Sequence, residues 1–222
     1  MFFQKSIWLT LCFLIITPVF SQPIKPFQAE MDAFKKQDSL QEPPQNPNVF
    51  AGSSSFRLWA SMYNDFRGFP ILNRGFGGST LLDLIDRLEE TVLQYNPKQV
   101  FIYCGENDFA ASATVTPAEV AARFKRVFSA IRKSQGKKTK IIFVSIKPSV
   151  ARWQLESKFV AANELISSFL KSKRNTHYID VHTPMLSPAG QVFPDLFIKD
   201  NLHMNAKGYA IWKELILPLL VL

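Results

Sequence analysis

Cysteine is scarce in this chain: 222 residues contain two, Cys12 and Cys104. Cys12 falls inside the N-terminal leader described below, so Cys104 alone would remain in a mature protein. That excludes an intrachain disulfide, a cysteine-stapled fold and a cysteine-based zinc site. No apolar stretch reaches the roughly 20 residues that a membrane-spanning helix needs. The longest candidate, Ile7–Phe20, stops short of it. Internal repeats and low-complexity tracts are missing, as is the interleaving of aromatic and basic residues that marks a nucleic-acid module. Acidic residues are outnumbered by basic ones, 18 to 26, for a net charge of +8. The surplus is dispersed, however. Arg123, Lys125 and Arg126 fall on one helix and Lys137, Lys138 and Lys140 in a turn, which reads as solvated faces and no nucleic-acid partner.

What is present describes a globular protein. Apolar residues make up 47% and charged residues 20% of the chain, ordinary values for a packed domain. The first stretch, MFFQKSIWLTLCFLIITPVFSQ, carries one charge, Lys5, then an apolar run, then Val19-Phe20-Ser21. A basic start, a short apolar centre and small residues before a cleavage point describe a secretory signal peptide. We therefore expect removal of residues 1–21, a secreted or periplasmic protein of charge +7, and no stable membrane insertion afterwards. Residues 22–47 read as a short helix, about Phe27 to Lys36, followed by a linker marked by Pro43, Pro44 and Pro47.

From Asn48 to the C-terminus, apolar strands alternate with amphipathic helices. The expected strands are Asn48–Ala51, Ile71–Asn73, Gln99–Cys104, Lys140–Lys147 and His177–Val181. VFIYC and IIFVSI are near-continuous apolar runs, as befits strands covered on both faces. One helix is expected from Leu81 to Tyr95. A second starts at Thr116-Pro117-Ala118-Glu119, a capping box with proline at the first helical position, and closes at Gly136. A third covers Trp153 to Lys171, and a last one starts near Asn205 and carries Ile211, Trp212 and Leu215. This alternation predicts an α/β fold: a three-layer α/β/α domain, residues 48–222, with a five-stranded parallel sheet. Ligands of such sheets bind beyond the carboxyl ends of the strands.

The residues at those ends form a chemical set. Gly52-Ser53-Ser54-Ser55 follows the first strand and Asn73-Arg74-Gly75-Phe76-Gly77-Gly78-Ser79-Thr80 the second. Gly105-Glu106-Asn107-Asp108 follows the third, and Asp200-Asn201-Leu202-His203 precedes the last helix. A serine hydroxyl needs a base to attack. His203 can supply it, with Asp200 to hold its tautomer. The backbone N–H groups of Ser54 and Gly78 and the Asn107 side-chain amide can serve as oxyanion donors. GFGGST lacks the Gly-Lys-Ser/Thr ending of a phosphate loop. Cys104 ends a buried run and reads as core. Arg74, Phe109, Arg152 and Trp153 are candidates for the pocket rim.

These blocks, in this order, resemble the SGNH or GDSL-type hydrolases: GSS for the serine block, NRGFGGST for the glycine block, GEND for the asparagine block and DNLH for the Asp/His block. FAGSSSFRLW and LNRGFGGS look like the bacterial lysophospholipase-like esterase branch. The resemblance implies a flavodoxin-like three-layer fold, Ser54 as nucleophile, Gly78 and Asn107 in the oxyanion hole, Asp200 and His203 as the other triad members, and no metal or organic cofactor. Two positions depart from the common pattern: Ser53 replaces the aspartate of Gly-Asp-Ser, and Ser79 the aspartate after the second-block glycine. The expected activity is hydrolysis of short acyl or acetyl esters on a carbohydrate or lysophospholipid. An acyltransferase using the same site, and a non-catalytic carbohydrate- or lipid-binding module, are the alternatives.

Overall fold

The computed structural model describes residues 25–222; the expected signal peptide, residues 1–21, lies outside them. Five parallel strands form one sheet: β1 (Asn48–Gly52), β2 (Ile71–Gly75), β3 (Gln99–Tyr103), β4 (Lys140–Val144) and β5 (Thr176–Ile179), in the spatial order β2-β1-β3-β4-β5. Registers pair Gly52 with Gly75 on one side and with Tyr103 on the other. The carboxyl ends of the three strands that lead into the serine, glycine and asparagine blocks are therefore level. The order reverses at β1, which is where an open α/β sheet leaves a crevice.

Side chains alternate across the strands and feed two cores. Val49, Ala51, Val100, Ile102, Ile141 and Phe143 join one cluster. It is covered by α3 (Leu81–Asp86), α5 (Pro117–Gln135) and α6 (Glu156–Lys171), which contribute Leu84, Phe124 and Phe159. Phe50, Phe101, Tyr103, Ile142 and Val144 join the other, under Phe56, Trp59 and Trp212. There Phe50 and Phe101 stack at 4.6 Å between centroids, and Tyr103 meets Trp212 edge-on at 4.8 Å. Trp212 lies on the last helix, α7 (Ala206–Ile216), which Asn205 caps by accepting from the Lys207 and Gly208 N–H groups. The N-terminal helix α1 (Gln28–Leu40) runs four residues past the expected Lys36 and buries Met31.

The capping box expected at Thr116 and Glu119 forms, with Pro117 at the first position of α5. Other boundaries move for local reasons. The helix expected over Leu81–Tyr95 breaks into Leu81–Asp86, a turn at Leu88–Thr91 and a 3-10 turn at Leu93–Tyr95. At the break, the Arg87 guanidinium reaches the Pro26 carbonyl, and the Thr91 hydroxyl bonds the Arg87 carbonyl, a back-bond that bends helices. Strand β4 ends at Val144 rather than Lys147. The Ile146 N–H and C=O are taken by the Asn163 carboxamide at 2.8 and 2.9 Å, not by a neighbouring strand.

Gly52 closes β1 at φ +128°, and a Cβ there would fall 2.0 Å from the Tyr103 carbonyl oxygen. No side chain fits, and the turn delivers the Ser53 N–H to that same carbonyl at 2.9 Å. Gly52→Ala is expected to cost about 3 kcal/mol or more, combining backbone strain with a clash that only a strand shift can relieve. Urea unfolding monitored by tryptophan fluorescence measures it; a loss below about 1 kcal/mol would show that the turn relaxes freely.

Candidate active site

Ser54 opens α2 (Ser54–Arg57), a single helical turn that begins where β1 ends. Its neighbours Ser53 and Ser55 are buried, whereas Ser54 is half-buried. Its Oγ lies 2.9 Å from His203 Nε2. His203 Nδ1 lies 2.6 Å from Asp200 Oδ2. The other carboxylate oxygen, Oδ1, accepts the Leu202 and His203 N–H groups at 2.9 Å each. One short loop thus fixes the carboxylate and aims the ring. With Nδ1 protonated and donating to the Asp200 carboxylate, Nε2 presents a lone pair to the serine hydroxyl; the tautomer follows from these bonds.

The loop is itself pinned. The Ala151 N–H donates to the Asn201 carbonyl and the Ile198 N–H to the His203 carbonyl, while the Asn205 carboxamide donates to the Asp195 and Phe197 carbonyls. Burial alone would raise the Asp200 pKa. The hydrogen bonds from the His203 ring, the His203 N–H and the Leu202 N–H outweigh it and hold the carboxyl at about 2. Asp200 is therefore an anion at any working pH.

The expected oxyanion donors follow the level ends of β1, β2 and β3, at the same sheet edge. The Ser54 N–H is at a helix start, and Gly78 has φ +74° with open space where a Cβ would be. Neither N–H makes a hydrogen bond among the described residues. Asn107 is the second residue of α4 (Glu106–Ala111). Its Nδ2 donates to the Ser79 carbonyl at 3.0 Å and its Oδ1 accepts from Arg152 Nη1 at 3.0 Å, which leaves one amide proton unused. Asp108 beside it is structural: it accepts the Leu81 N–H at the start of α3 and the Arg123 guanidinium. Cys104 is buried, and burial pushes its thiol far up.

Of the four candidate rim residues, two belong elsewhere. Arg74 is fully buried and points away from the edge, toward α1. It donates to Tyr95, Gln37, its neighbour's carbonyl and, as an ion pair, Asp38, between the rings of Phe34 and Tyr95. Its donors are spent on holding α1 to the sheet. Phe109 faces inward from α4 and packs on Phe159 at 5.7 Å, because the turn that exposes Asn107 sends the residue two places on into the core. Trp153 is half-buried in a 3-10 turn. Arg152 does reach the site, through Asn107.

Sequence reasoning passed over Glu106. Its carboxylate is buried, accepts the Tyr103 hydroxyl at 2.7 Å, and pairs with Lys147 Nζ at 3.3 Å and Arg152 Nη1 at 3.2 Å. Lys147 is fully buried; burial pulls its pKa down and Glu106 opposes that. The available signal was the acidic residue inside GEND itself, at the end of a buried strand. Among the described residues no cluster of three or more His, Cys, Asp or Glu side chains could hold a metal, and no helix is long and apolar enough to cross a membrane.

The profile of the GDSL-like lipase/acylhydrolase family matches residues 38–211. Over 171 residues, 73% of this chain and 70% of the relative, the sequence is 27% identical to the platelet-activating factor acetylhydrolase IB subunit alpha2 of Rattus norvegicus, and equally to that of Mus musculus. Among solved structures, a GDSL-like lipase from Bacteroides thetaiotaomicron superposes with a TM-score of 0.70 at 20% identity, covering 85% of this chain and 95% of its own. An acetylxylan esterase from Geobacillus stearothermophilus gives 0.62 at 14% identity, covering 78% and 94%.

The position of Arg74 generates a test. Arg74→Met is expected to lower stability by about 3 kcal/mol, since it strands Asp38 of α1 against the sheet without its cation. It should leave kcat/KM for a small ester within about twofold of the parent. Denaturant unfolding and aryl-ester kinetics on the same preparation check both; a large rise in KM at unchanged stability would return Arg74 to the rim.

Proposed function

This chain belongs to the GDSL-like lipase/acylhydrolase family and is an ester-bond hydrolase; from that premise we propose that Ser54, His203 and Asp200 carry the reaction through an acyl-enzyme. The observation that supports this most is the unbroken path Ser54 Oγ to His203 Nε2, then His203 Nδ1 to Asp200 Oδ2, at 2.9 and 2.6 Å. In the first half-reaction Ser54 Oγ bonds the ester carbonyl carbon while its proton passes to Nε2. The imidazolium so formed is stabilised by the ionised Asp200. The carbonyl oxygen becomes an oxyanion, received by the Ser54 and Gly78 N–H groups and the free Asn107 amide proton. As the tetrahedral species collapses, the ester C–O bond breaks and Nε2 returns the proton to the departing alcohol. Water then repeats the cycle on the acyl-enzyme and releases the acid.

The substrate in this reading is a small acyl or acetyl ester of a carbohydrate or lysophospholipid. Two comparisons lend support: an acetylhydrolase of platelet-activating factor and an acetylxylan esterase both carry acetyl in their names. The basic and apolar leader over residues 1–21 supports export, which would place the enzyme outside the cytoplasm among cell-envelope or extracellular esters.

Ser54→Ala is expected to reduce 4-nitrophenyl acetate hydrolysis to the uncatalysed rate, whereas Ser53→Ala and Ser55→Ala keep labelling by a fluorophosphonate. Turnover surviving in Ser54→Ala would remove the nucleophile assignment. With the parent enzyme, kcat/KM should fall by about tenfold or more from acetyl to octanoyl esters if the acyl site is small; a rise would point to long-chain lipids instead.

The pH profile offers a second check. Asp200 is held near 2 and stays ionised through the acid limb. The acid limb of log kcat/KM should then fall with a slope of one down to about pH 4, Asp200 contributing no second proton. A slope of two would show a second group, Asp200 included, titrating in the same range.

A further inference from the structure

We infer that Arg152 is a positioning residue for the oxyanion hole: held by buried Glu106, it fixes the Asn107 carboxamide with its oxygen on the guanidinium and one amide proton left free. This rests on the reading of Asn107 as an oxyanion donor.

A carboxamide has two faces of nearly equal shape, and only one presents N–H groups to a developing negative charge. Asn107 needs something to choose between them. Arg152 Nη1 stands 3.0 Å from Oδ1, and a guanidinium has donors only. The flipped amide would set its NH2 group against that cation, so the flipped state is repelled. On the opposite side the Ser79 carbonyl accepts from Nδ2 at 3.0 Å, a second contact that the flipped amide would lose. Oxygen and nitrogen are thus both specified, and the remaining proton of Nδ2 is left for substrate.

Arg152 must in turn be held. Its Nη1 also lies 3.2 Å from Glu106 Oε1. Glu106 is 4% exposed, and the Tyr103 hydroxyl and Lys147 fix its other oxygen. Glu106 and Asn107 are consecutive residues, so the anchor of the arginine and its target move as one piece of α4. Arg152 places a positive charge behind the amide, in a region of low dielectric where a cation on Oδ1 polarises the Nδ2–H bonds. No residue of this cluster needs to touch substrate for the effect to operate. A substrate-contacting arginine would spend its donors on the ligand; here Nη1 is already shared between Asn107 and Glu106.

The experiment is a double-mutant cycle on the full chain with 4-nitrophenyl acetate, using Asn107→Ala, Arg152→Ala and the pair. Asn107→Ala is expected to lose about 100-fold or more in kcat. Arg152→Ala should lose about 10- to 100-fold in kcat with KM within about threefold, and the pair should match Asn107→Ala within about threefold, because both changes remove one function. Guanidinium ion added in solution should restore part of the kcat of Arg152→Ala and none of that of the pair. A raised KM at unchanged kcat, or losses that multiply in the pair, would overturn the inference and make Arg152 a substrate contact. A loss below tenfold in Asn107→Ala would overturn the oxyanion assignment itself, and this inference with it. Should Arg152→Ala fail to fold by circular dichroism, Arg152→Lys serves in its place: it keeps the charge, cannot span Asn107 and Glu106 together, and is expected to fall between the parent and Asn107→Ala in kcat.

Discussion

No atom beyond hydrogen fits on the α-carbon of Gly52. That constraint sets the geometry of everything at the carboxyl edge of the sheet. Tyr103 on the neighbouring strand occupies the space a side chain would take, and its carbonyl receives the Ser53 N–H. The chain can leave β1 only by a left-handed step that starts a helix at once. Ser54 is therefore presented at a helix start, with its own N–H unspent and its hydroxyl facing the loop that carries His203. The hydroxyl that meets His203 and an unbonded N–H thus come from one residue at this turn.

Around that turn the protein invests buried polar contacts where other parts of the core are apolar. Glu106, Lys147, Arg152, Tyr103, Asp108 and Arg123 form two groups at the ends of β3 and β4. Buried ion pairs are weak grounds for stability, since desolvation offsets most of their attraction. Here their contribution is directional. Asp108 ties the start of α3 to α4, while Glu106 and Arg152 orient Asn107. The aromatic packing of Phe50, Phe101, Tyr103 and Trp212 beneath them supplies the hydrophobic stabilisation on that face.

Elements whose signals are local were legible. The near-continuous apolar runs of β3 and β4, the Thr116–Glu119 box with Pro117, and the start of the last helix near Asn205 each state their structure within a few residues, and each forms. The four strand-end blocks were legible for the same reason: each is a short segment, and the alternation of strands and helices places all of them on one edge. Features that depend on a partner distant in sequence were not. Arg74, beside the glycine block, read as a rim residue, but its partners Asp38 and Tyr95 lie 36 and 21 positions away. The break at Arg87 depends on Pro26, 61 positions earlier. Phe109 carried no sign of which way a short helix would turn it.

The sequence by itself determined the inventory and its order: a parallel α/β sheet, and a hydroxyl, glycine amides, a carboxamide and an Asp-x-x-His loop placed at strand ends. These follow from periodicity and turn chemistry, which act over a few residues. Tertiary structure brought Ser54, which the family resemblance had already singled out, to the imidazole, and alone decided which arginine serves the site and which braces α1, and which way the Asn107 amide faces. Those choices turn on hydrogen bonds of about 3 Å between residues up to 149 positions apart. Chemically equivalent side chains differ only in direction, and direction exists once the strands are in register.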